Sequence, residues 1–248
     1  MRYDAYLFDL YGTLVDIHTD ESSPRFWKRA AALFAARGAC YAPEELHAAY
    51  LDGIRSQPPR GSFAVPEPDL APVFADLLAQ KGAPSDAAAV AKTAWAFRQA
   101  SVTHLRLYSG AKALLAALRM QGRVILLSNA QRLFTMPELE KLGLSDAFDA
   151  VLLSSDYGCK KPDPAFFRIP LAEFRLDPSR CLMIGNDPVC DVCGAADAGM
   201  DTLFLRTALS PKGVSDAPAT YAFSGMDLRR VQRLLTGTNG KMDKSDPV

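Results

Sequence analysis

Four short polar stretches of the sequence hold residues whose types could carry out chemistry. They are Asp9, Gly12 and Thr13 in FDLYGT, the pair Ser128-Asn129, Lys161 in GCKKPDP, and Asn186, Asp187 and Asp191 in GNDPVCD. Asp9 stands where a nucleophile would be expected, because a strand-like apolar run ends there and a turn follows. The other stretches are weak signals singly, since a Ser-Asn pair commonly caps a helix and a lysine before proline commonly lies in a solvated loop. The four stretches become a specific signal when taken together, because they occur in this order and each follows an apolar, strand-like run.

Each of these stretches follows an apolar run that predicts a buried strand. The predicted strands are Ala5–Leu10, Arg123–Leu127, Ala150–Ser154, Cys181–Ile184 and Thr202–Leu205. Helical patterns separate the later ones, at Gly110–Gln121, Met136–Leu142, Asp163–Phe174 and Asp191–Ala198. Strands that alternate with helices predict an α/β fold with a Rossmann-like parallel sheet. Ligands bind beyond the carboxyl ends of such strands, so the four polar stretches should meet at one edge of the sheet.

The segment 19–103 interrupts this alternation with helices alone. The predicted helices are Pro24–Arg37, Pro43–Ser56, Asp69–Gln80 and Ser85–Val102. We expect them to form a helical-bundle cap inserted into an α/β core made of residues 1–18 and 104–235. Such an insertion lies over the strand ends and can act as a lid, and its side chains are expected to decide the substrate. Residues 236–248 are polar and nearly devoid of apolar anchors, which predicts a flexible tail.

The composition favours neither a nucleic-acid nor a membrane partner. Lysine plus arginine number 28, as do aspartate plus glutamate, so the formal net charge is zero. No apolar run approaches the roughly 18 residues that would span a bilayer, and the N-terminus lacks a signal-peptide layout, so a cytoplasmic protein is expected. The scattered cysteines, five in number, fit that location. Cys190 and Cys193 form a CxxC without a second pair, and we expect small buried side chains there rather than a zinc or redox site.

In these motifs the chain resembles the haloacid dehalogenase-like hydrolase superfamily. The resemblance rests on Asp9-Leu-Tyr-Gly-Thr13, on Ser128-Asn129, on Lys161-Pro162-Asp163, and on Gly185-Asn-Asp with the later Asp191, Gly194 and Ala195. These motifs cover the α/β part of the chain. The helical insert between the first two of them matches the cap of the first class of this superfamily.

The resemblance implies hydrolysis through a covalent intermediate. Asp9 would attack the substrate and form an ester, which water then cleaves. Lys161 would place a positive charge beside Asp9, hold it ionised and neutralise the charge that develops. The residues expected to contact the substrate or its transferred oxygens are Thr13, Ser128, Tyr11, Gly12 and Asn129.

Tyr11 departs from the phosphatases of this superfamily, which carry a second aspartate two residues after the nucleophile. That aspartate protonates the leaving oxygen, and acid–base help of this kind is worth roughly 10²–10⁴ in rate. A phenol with a pKa of about 10 is a poor substitute near neutral pH. The 2-haloacid dehalogenases of the superfamily do carry Asp-x-Tyr-Gly-Thr, because a halide leaves as an anion and needs no proton. The first motif alone therefore favours carbon–halogen cleavage.

The fourth motif favours a metal-dependent enzyme instead. Its acids would lie near Asp9, and two carboxylates about 4 Å apart repel by about 4 kcal/mol at an effective dielectric constant near 20. A divalent cation offsets that repulsion, and oxygen-rich sites suit Mg²⁺. The ligands implied by the resemblance are Asp9, the backbone carbonyl of Tyr11, and either Asp187 or Asn186, because both spacings from Asp191 occur in the family. Asp191 itself would lie behind the ligands and order Lys161 or metal-bound water.

These features together predict a hydrolase that uses Mg²⁺ to act on a phosphorylated small molecule, with Tyr11 in place of the usual acid. Asp16 or His18, just past the first motif, are candidates for a substitute proton donor. A 2-haloacid dehalogenase is the alternative, although the first cap helix lacks the Arg–Gln–aromatic pattern of those enzymes. A binding module that has lost catalysis is a third hypothesis, which the intact motifs oppose. The sequence leaves the oligomeric state open.

Overall fold

The computed structural model describes residues 3–213 and 218–237, and a parallel β-sheet forms its centre. In chain order the strands are β1 (Ala5–Phe8), β2 (Val15–Thr19), β3 (Val102–Leu107), β4 (Arg123–Ser128), β5 (Ala150–Leu153), β6 (Cys181–Gly185), β7 (Asp201–Arg206) and β8 (Tyr221–Ser224). The central sheet is six-stranded, with the order β5-β4-β1-β6-β7-β8, and every neighbouring pair in it is parallel. The predicted α/β fold with a Rossmann-like parallel sheet is confirmed.

Helices cover both faces of this sheet. The helices are α1 (Pro24–Ala35), α2 (Pro43–Arg55), α3 (Leu70–Ala79), α4 (Ala87–Ser101), α5 (Ala111–Arg119), α6 (Arg132–Leu142), α7 (Ser154–Tyr157), α8 (Pro164–Glu173), α9 (Gly194–Asp197) and α10 (Leu228–Thr236). Tyr6 and Phe8 of β1 belong to one apolar cluster with residues of α5 and α10. Ala5 and Leu7 belong to another, with residues of α8 and α9. Successive strand residues point to opposite faces, so a strand covered on both faces must be apolar throughout.

Helices α1–α4 lie outside the sheet and have an apolar core of their own. This core includes Phe26, Phe34, Phe74 and Phe97, and Phe134 of α6 packs into it. In the chain, β2 precedes the four helices and β3 follows them, and these two strands pair antiparallel as a ribbon. The sequence predicts the helices but not this ribbon, because both strands are short and partly exposed and have no local partner to reveal them. The division into core and cap at residues 19 and 103 stays a prediction.

Other elements differ from the predicted ones at their boundaries. Helix α6 begins at Arg132 rather than Met136, and strand β8 has no predicted counterpart. The predicted helix Asp191–Ala198 starts earlier, with a π-helical turn over Pro188–Cys193. This turn begins where it does because a carboxylate oxygen of Asp187 accepts hydrogen bonds from the first free amides of the turn.

No helix among residues 3–213 and 218–237 is long and apolar enough to cross a membrane. The cytoplasmic location stays a prediction. The predicted tail, residues 236–248, meets the described part of the chain only at the end of α10 and at Gly237, which follows it. Residues 238–248 lie outside the described residues.

Candidate active site

The carboxylate of Asp9 lies directly beyond the end of β1, and its two oxygens have different surroundings. Oδ1 accepts a hydrogen bond from Lys161 Nζ at 2.9 Å and another from Ser128 Oγ at 3.1 Å. Among the described residues, Oδ2 receives only a long contact of 3.4 Å from Thr13 Oγ1. The side chain is 11% exposed. Oδ2 is therefore the oxygen that remains available to a substrate or a cation.

Lys161 is buried between two carboxylates. Its side chain is 1% exposed, and Nζ donates to Asp191 Oδ1 at 2.6 Å as well as to Asp9. Burial alone would lower the pKa of this ammonium, but Asp191 and Asp9 outweigh it and raise the pKa above its ordinary value. Burial also raises the pKa of the Asp191 carboxyl, against the opposing effect of Lys161. A single cation shared by two buried carboxylates leaves one negative charge in excess, which favours a further cation nearby.

Asn129 holds the backbone of Lys161 with both ends of its amide. Its Nδ2 donates to the Lys161 carbonyl at 2.9 Å, and its Oδ1 accepts from the Lys161 amide at 2.8 Å. Asn129 follows the end of β4, whereas Lys161 lies in the loop before α8. This side chain therefore fixes one strand-end loop against another and sets the position from which Lys161 reaches Asp9.

Gly185 allows the fourth motif to fold back on the end of β6. A Cβ atom at Gly185 would lie 2.2 Å from Asp191 Oδ2, so only glycine leaves room for that carboxylate. The same oxygen accepts a hydrogen bond from the Asp187 amide at 2.9 Å. Asp191 is thus held by its own motif while its other oxygen faces Lys161.

Asn186 and Asp187 have different neighbours, although they are adjacent in the chain. Oδ1 of Asn186 lies 3.3 Å from the Thr13 hydroxyl, the same group that faces Asp9 Oδ2. Oδ1 of Asp187 caps the π-helical turn Pro188–Cys193 instead. Of the two residues left open as metal ligands, Asn186 is therefore the one whose side chain lies beside Asp9.

Gly12 provides the space in which Asn186 lies. It has a φ of +87°, and a Cβ atom there would lie 2.3 Å from Asn186 Nδ2. Its amide donates to the Val15 carbonyl at 2.8 Å and closes the turn after Asp9. Position 12 requires glycine because its φ is positive and because a side chain there would collide with Asn186. Contact between Gly12 and a substrate stays a prediction.

The Tyr11 phenol is bonded to the side chains of α6. It donates a hydrogen bond to Glu138, and its oxygen lies 3.0 Å from Thr135 Oγ1. Glu138 is buried, and its other oxygen accepts from Arg98 Nε at 2.7 Å. Burial and the charge of Glu138 raise the pKa of the phenol well above its ordinary value. The phenol is therefore a poor proton donor or acceptor near neutral pH.

A cavity of about 190 Å³ opens beside Asp9. Its lining holds most of the predicted site residues and some others, namely Asp9, Tyr11, Ser128, Asn129, Lys161, Asn186, Asp187, Cys190, Asp191, Leu209 and Pro211. Hollows of about 720 and 410 Å³ lie along α5, but no motif residue lines either of them. The chemistry of the lining, rather than its size, therefore marks the candidate site.

The two substitute proton donors considered from the sequence lie on the β2–β3 ribbon. Asp16 accepts from Arg106 Nη2 at 2.7 Å and lies 3.1 Å from His104 Nε2. His18 is exposed and bonds to Thr103. Neither Asp16 nor His18 lines the cavity, so the structure does not bring them to the nucleophile.

Cys190 and Cys193 are free thiols of intermediate burial, so they are less buried than the sequence predicts. Burial and the nearby Asp187 carboxylate raise the pKa of Cys190 to about 12, which makes the thiol a weak nucleophile. Within the described ranges, no group of three or more His, Cys, Asp or Glu side chains is arranged to hold a metal ion.

Sequence reasoning missed the partners of Tyr11 and the rim of the cavity. Arg98 and Glu138 lie on helices, where charged residues normally face solvent, so nothing local predicts their burial. Leu209 and Pro211 follow β7 and could have been found, because that loop also leaves the carboxyl end of a sheet strand.

A family model and individual relatives resemble this chain. The model of the haloacid dehalogenase-like hydrolase family matches residues 3–199. A phosphoserine phosphatase of Thermus thermophilus is 35% identical over 113 residues, which are 45% of this chain and 45% of that protein. The chain thus spans about half the length of this curated relative.

Two solved structures show the same fold. A 2-haloacid dehalogenase of Pseudomonas syringae pv. Tomato DC3000 has a TM-score of 0.62 at 20% identity, covering 96% of this chain and 100% of that one. The magnesium-bound YfnB of Bacillus subtilis, whose crystal structure reveals interdomain movement, has a TM-score of 0.56 at 21% identity, covering 95% and 99%. At these identities the likeness extends to the fold alone.

Proposed function

The chain belongs to the haloacid dehalogenase-like hydrolase family, and on that premise we propose that it hydrolyses a small phosphorylated molecule with Asp9 as the nucleophile. A relative in Thermus thermophilus is a phosphoserine phosphatase, which supports a phosphate ester as the substrate class. The site around Asp9 supplies the physical argument for the same class.

The observation that carries this proposal is the charge around the cavity. The acids Asp9, Asp187 and Asp191 line it, against the single ammonium of Lys161. A phosphate group adds negative charge, and like charges about 4 Å apart repel by about 4 kcal/mol at an effective dielectric constant near 20. A divalent cation would offset this repulsion. A 2-haloacid would bring one carboxylate charge but an uncharged reacting carbon, so its demand for a cation would be smaller.

The donor set beside Asp9 fits Mg²⁺. Asp9 Oδ2 and Asn186 Oδ1 face the single hydroxyl proton of Thr13, at 3.4 and 3.3 Å, so one of these acceptors has no proton directed at it from Thr13. Carboxylate and amide oxygens are ligands that Mg²⁺ prefers. The residues that would hold the ion are Asp9, Asn186 and the carbonyl of Tyr11, with Asp187 as the alternative to Asn186. Bound there, Mg²⁺ would neutralise charge on the transferred group.

Asp9 and Lys161 divide the chemistry in this proposal. The Asp9 carboxylate forms a bond to phosphorus while the bond from phosphorus to the leaving oxygen breaks. Lys161, 2.9 Å from Oδ1, stabilises the negative charge of the transition state. Water then attacks the phosphorus of the aspartyl phosphate, which releases inorganic phosphate and restores Asp9. The hydroxyls expected to donate to the transferred oxygens are those of Thr13 and Ser128.

The leaving group must depart without help from Tyr11. The phenol donates to Glu138, and its raised pKa prevents it from giving up a proton readily. Loss of a general acid costs roughly 10²–10⁴ in rate for a leaving oxygen that needs protonation. We therefore expect slow turnover of simple alkyl phosphates and faster turnover of acyl or aryl phosphates.

A 2-haloacid dehalogenase remains the second candidate because Asn186, a neutral residue, lies beside the nucleophile. An amide in that position weakens the electrostatic demand for a metal ion. Halide departure also needs no proton, which agrees with the engagement of the Tyr11 phenol by Glu138. The cavity of about 190 Å³ is large enough for a short haloacid.

A substrate panel assayed with Mg²⁺ and with excess chelator distinguishes these functions. The panel contains alkyl, acyl and aryl phosphates together with short 2-haloacids, and Asp9→Asn is the control. Our proposal predicts phosphate release from the acyl and aryl phosphates that stops in chelator. Halide release that persists in chelator would replace the phosphatase assignment with the dehalogenase. A folded protein that releases neither product would support the binding module.

A further inference from the structure

The loop between α2 and α3 runs along the core beside the loop that carries Lys161. We call residues 57–69 the strap. The Glu67 amide donates to the Gly158 carbonyl at 3.0 Å, and the Lys160 amide donates to the Val65 carbonyl at 3.1 Å. Pro66 and Cys159 form an antiparallel bridge between these bonds. The strap is therefore paired to the core through its backbone, next to a catalytic lysine.

Side chains reinforce this pairing. The amide group of Gln131 donates to Glu67 Oε1 at 2.9 Å and to the Pro68 carbonyl at 2.8 Å, and its oxygen accepts from the Leu70 amide at 2.9 Å. The Val65 amide donates to Asp163 Oδ2 at 3.0 Å. A cap that swung away from the core would have to break all of these bonds together.

A second attachment joins the last cap helix to the core. Arg98 of α4 donates to the buried Glu138 of α6 at 2.7 Å, and the Arg98 side chain is 13% exposed. Phe134 of α6 is also buried in the apolar core of the cap. The strap and this ion pair hold helices α1–α4 to the core at separate places.

The cavity beside Asp9 has no lining residue from these helices. Among residues 3–213 and 218–237, the lining comes from the end of β4, from loops of the core and from the π-helical turn Pro188–Cys193. Its apolar members are Leu209 and Pro211, which follow β7, together with the weakly polar Cys190. Leu209 is 38% exposed, so it lies between the cavity and solvent.

We propose that Leu209 and Pro211 select the leaving group of the substrate, which reaches Asp9 past these residues while the cap stays fastened to the core. This inference rests on the proposed function for the reaction that the substrate undergoes. The attachment of the cap to the core does not depend on that function. It differs from the expectation that cap side chains decide the substrate. It also distinguishes this chain from YfnB, whose structure reveals interdomain movement.

Hydrogen exchange measures how firmly the strap is attached to the core, and it needs no substrate. The amides of Val65, Glu67 and Lys160 should exchange at least about 100-fold more slowly than those of Gly61 and Ser62, because exchange requires local opening. Gly61 and Ser62 are exposed in the same strap and serve as the internal control. Equal exchange at both sets of amides would show that the strap opens freely, and it would overturn the inference even if the reaction is not phosphate hydrolysis.

A disulfide tests whether turnover needs the cap to open. Residues opposed in an antiparallel bridge have Cα atoms about 4.5–5.5 Å apart, within the range of a disulfide, so Pro66→Cys can pair with the native Cys159. Oxidised glutathione forms the bond, and mass spectrometry of the linked peptides confirms it. Wild type and Pro66→Ser receive the same oxidant as controls for the other thiols.

The cross-linked enzyme should keep its turnover within about twofold of the reduced enzyme, because no opening of the cap precedes binding. Turnover that disappears on oxidation and returns on reduction would contradict the inference. Absence of turnover in the reduced variant and in wild type alike would instead contradict the proposed function.

Leu209→Trp tests the rim, and Leu51→Trp is its matched control. Leu51 lies on cap helix α2 and is 38% exposed, like Leu209. Leu209→Trp should raise the ratio of KM for a bulky aryl phosphate to KM for acetyl phosphate at least about tenfold. Leu209→Ala should lower this ratio. Leu51→Trp should leave the ratio unchanged. An equal effect of the two tryptophan substitutions, or none from Leu209→Trp, would exclude the rim as the selecting element.

Discussion

Two cations in this molecule, Lys161 and Arg98, have similar carboxylate partners but different surroundings. Lys161 lies between the carboxylates of Asp9 and Asp191, at 2.9 and 2.6 Å, and we call these three residues the site cluster. Arg98 lies between Glu138 and Glu21, at 2.7 and 3.7 Å. Each cation therefore faces two carboxylates, and each set carries one negative charge in excess.

In the second set, which with Tyr11 we call the junction cluster, protein donors occupy both oxygens of Glu138, whereas the Glu21 side chain is 32% exposed. The Tyr11 phenol donates to Glu138, and the Phe134 ring lies 5.3 Å from the guanidinium of Arg98. The site cluster opens onto a cavity instead, where Asp9 Oδ2 has only a long contact. The two sets thus differ in their free acceptors: both oxygens of Glu138 accept from protein donors, whereas Asp9 Oδ2 faces open space.

Tyr11 contributes to both clusters through different atoms. Its backbone lies two residues after Asp9, where the proposed metal site would use its carbonyl, whereas its phenol lies in the junction cluster. The chain therefore has no carboxylic acid at this position. Its tyrosine instead bonds the loop after Asp9 to α6. We expect substitutions in the site cluster to change activity and substitutions in the junction cluster to change stability.

Asp9→Asn should give the largest effect, at least about 10³-fold in turnover, because the nucleophile is lost. The free energy of unfolding should change little, since Lys161 keeps Asp191 as a partner. Steady-state kinetics and urea denaturation check the two quantities. Asp16→Asn, which removes a carboxylate on the ribbon, is the control and should retain turnover. Full activity of Asp9→Asn would refute the nucleophile assignment.

Glu138→Ala should show the reverse pattern. Removal of one partner from a buried ion pair costs about 3–5 kcal/mol, and Glu21 remains near Arg98, so we expect about 3 kcal/mol of destabilisation. Urea denaturation measures it. Glu140→Ala, on the exposed side of the same helix, is the matched control and should change stability by less than about 0.5 kcal/mol. Similar losses in the two variants would show that the junction cluster adds nothing special.

Tyr11→Phe should cost about 2 kcal/mol of stability, because the phenol donates to a buried carboxylate and such bonds are worth about 1.5–3 kcal/mol. Turnover should stay within about tenfold of wild type, whereas loss of a true general acid would cost about 10²–10⁴. Denaturation and kinetics on the same preparation separate these outcomes. A larger loss in turnover with unchanged stability would make the phenol a catalytic group.

The smallest effect should appear at alkaline pH. Burial raises the pKa of the folded Tyr11 phenol above the value of about 10 that it has in the unfolded chain. The unfolded chain therefore releases this proton first, and stability falls as pH rises past about 10, by up to about 1.4 kcal/mol per pH unit from this group. Wild type should lose stability more steeply than Tyr11→Phe between about pH 10 and 11.5. Parallel curves would show that the phenol titrates normally.

The sequence predicts the site cluster because each of its members follows a strand of a parallel sheet. Asp9, Lys161 and Asp191 are far apart in the chain, but the fold brings strand ends together in a known way, so order and residue type suffice. The choice between Asn186 and Asp187 could not be made in advance. Asp187 caps the following turn and Asn186 approaches Thr13, a local geometry that spacing alone does not determine.

The junction cluster and the strap could not be predicted in this way. Arg98 meets Glu138 only because α4 packs on α6, and the strap meets residues 158–160 by pairing that no periodicity reveals. This affects the design of variants. Tyr11→Asp, the obvious way to restore an acid, would bury a second carboxylate beside Glu138, so it should be combined with Glu138→Gln.

A phosphoryl group trapped on Asp9 would identify this residue as the nucleophile. Wild-type protein is mixed with Mg²⁺ and an acyl phosphate, quenched in acid within the first turnover, digested and analysed by mass spectrometry. We expect one added phosphoryl group on the peptide that contains Asp9, absent from Asp9→Asn and from samples quenched after turnover is complete. Phosphate release without any adduct on that peptide, or an adduct on another residue, would show that Asp9 is not the nucleophile.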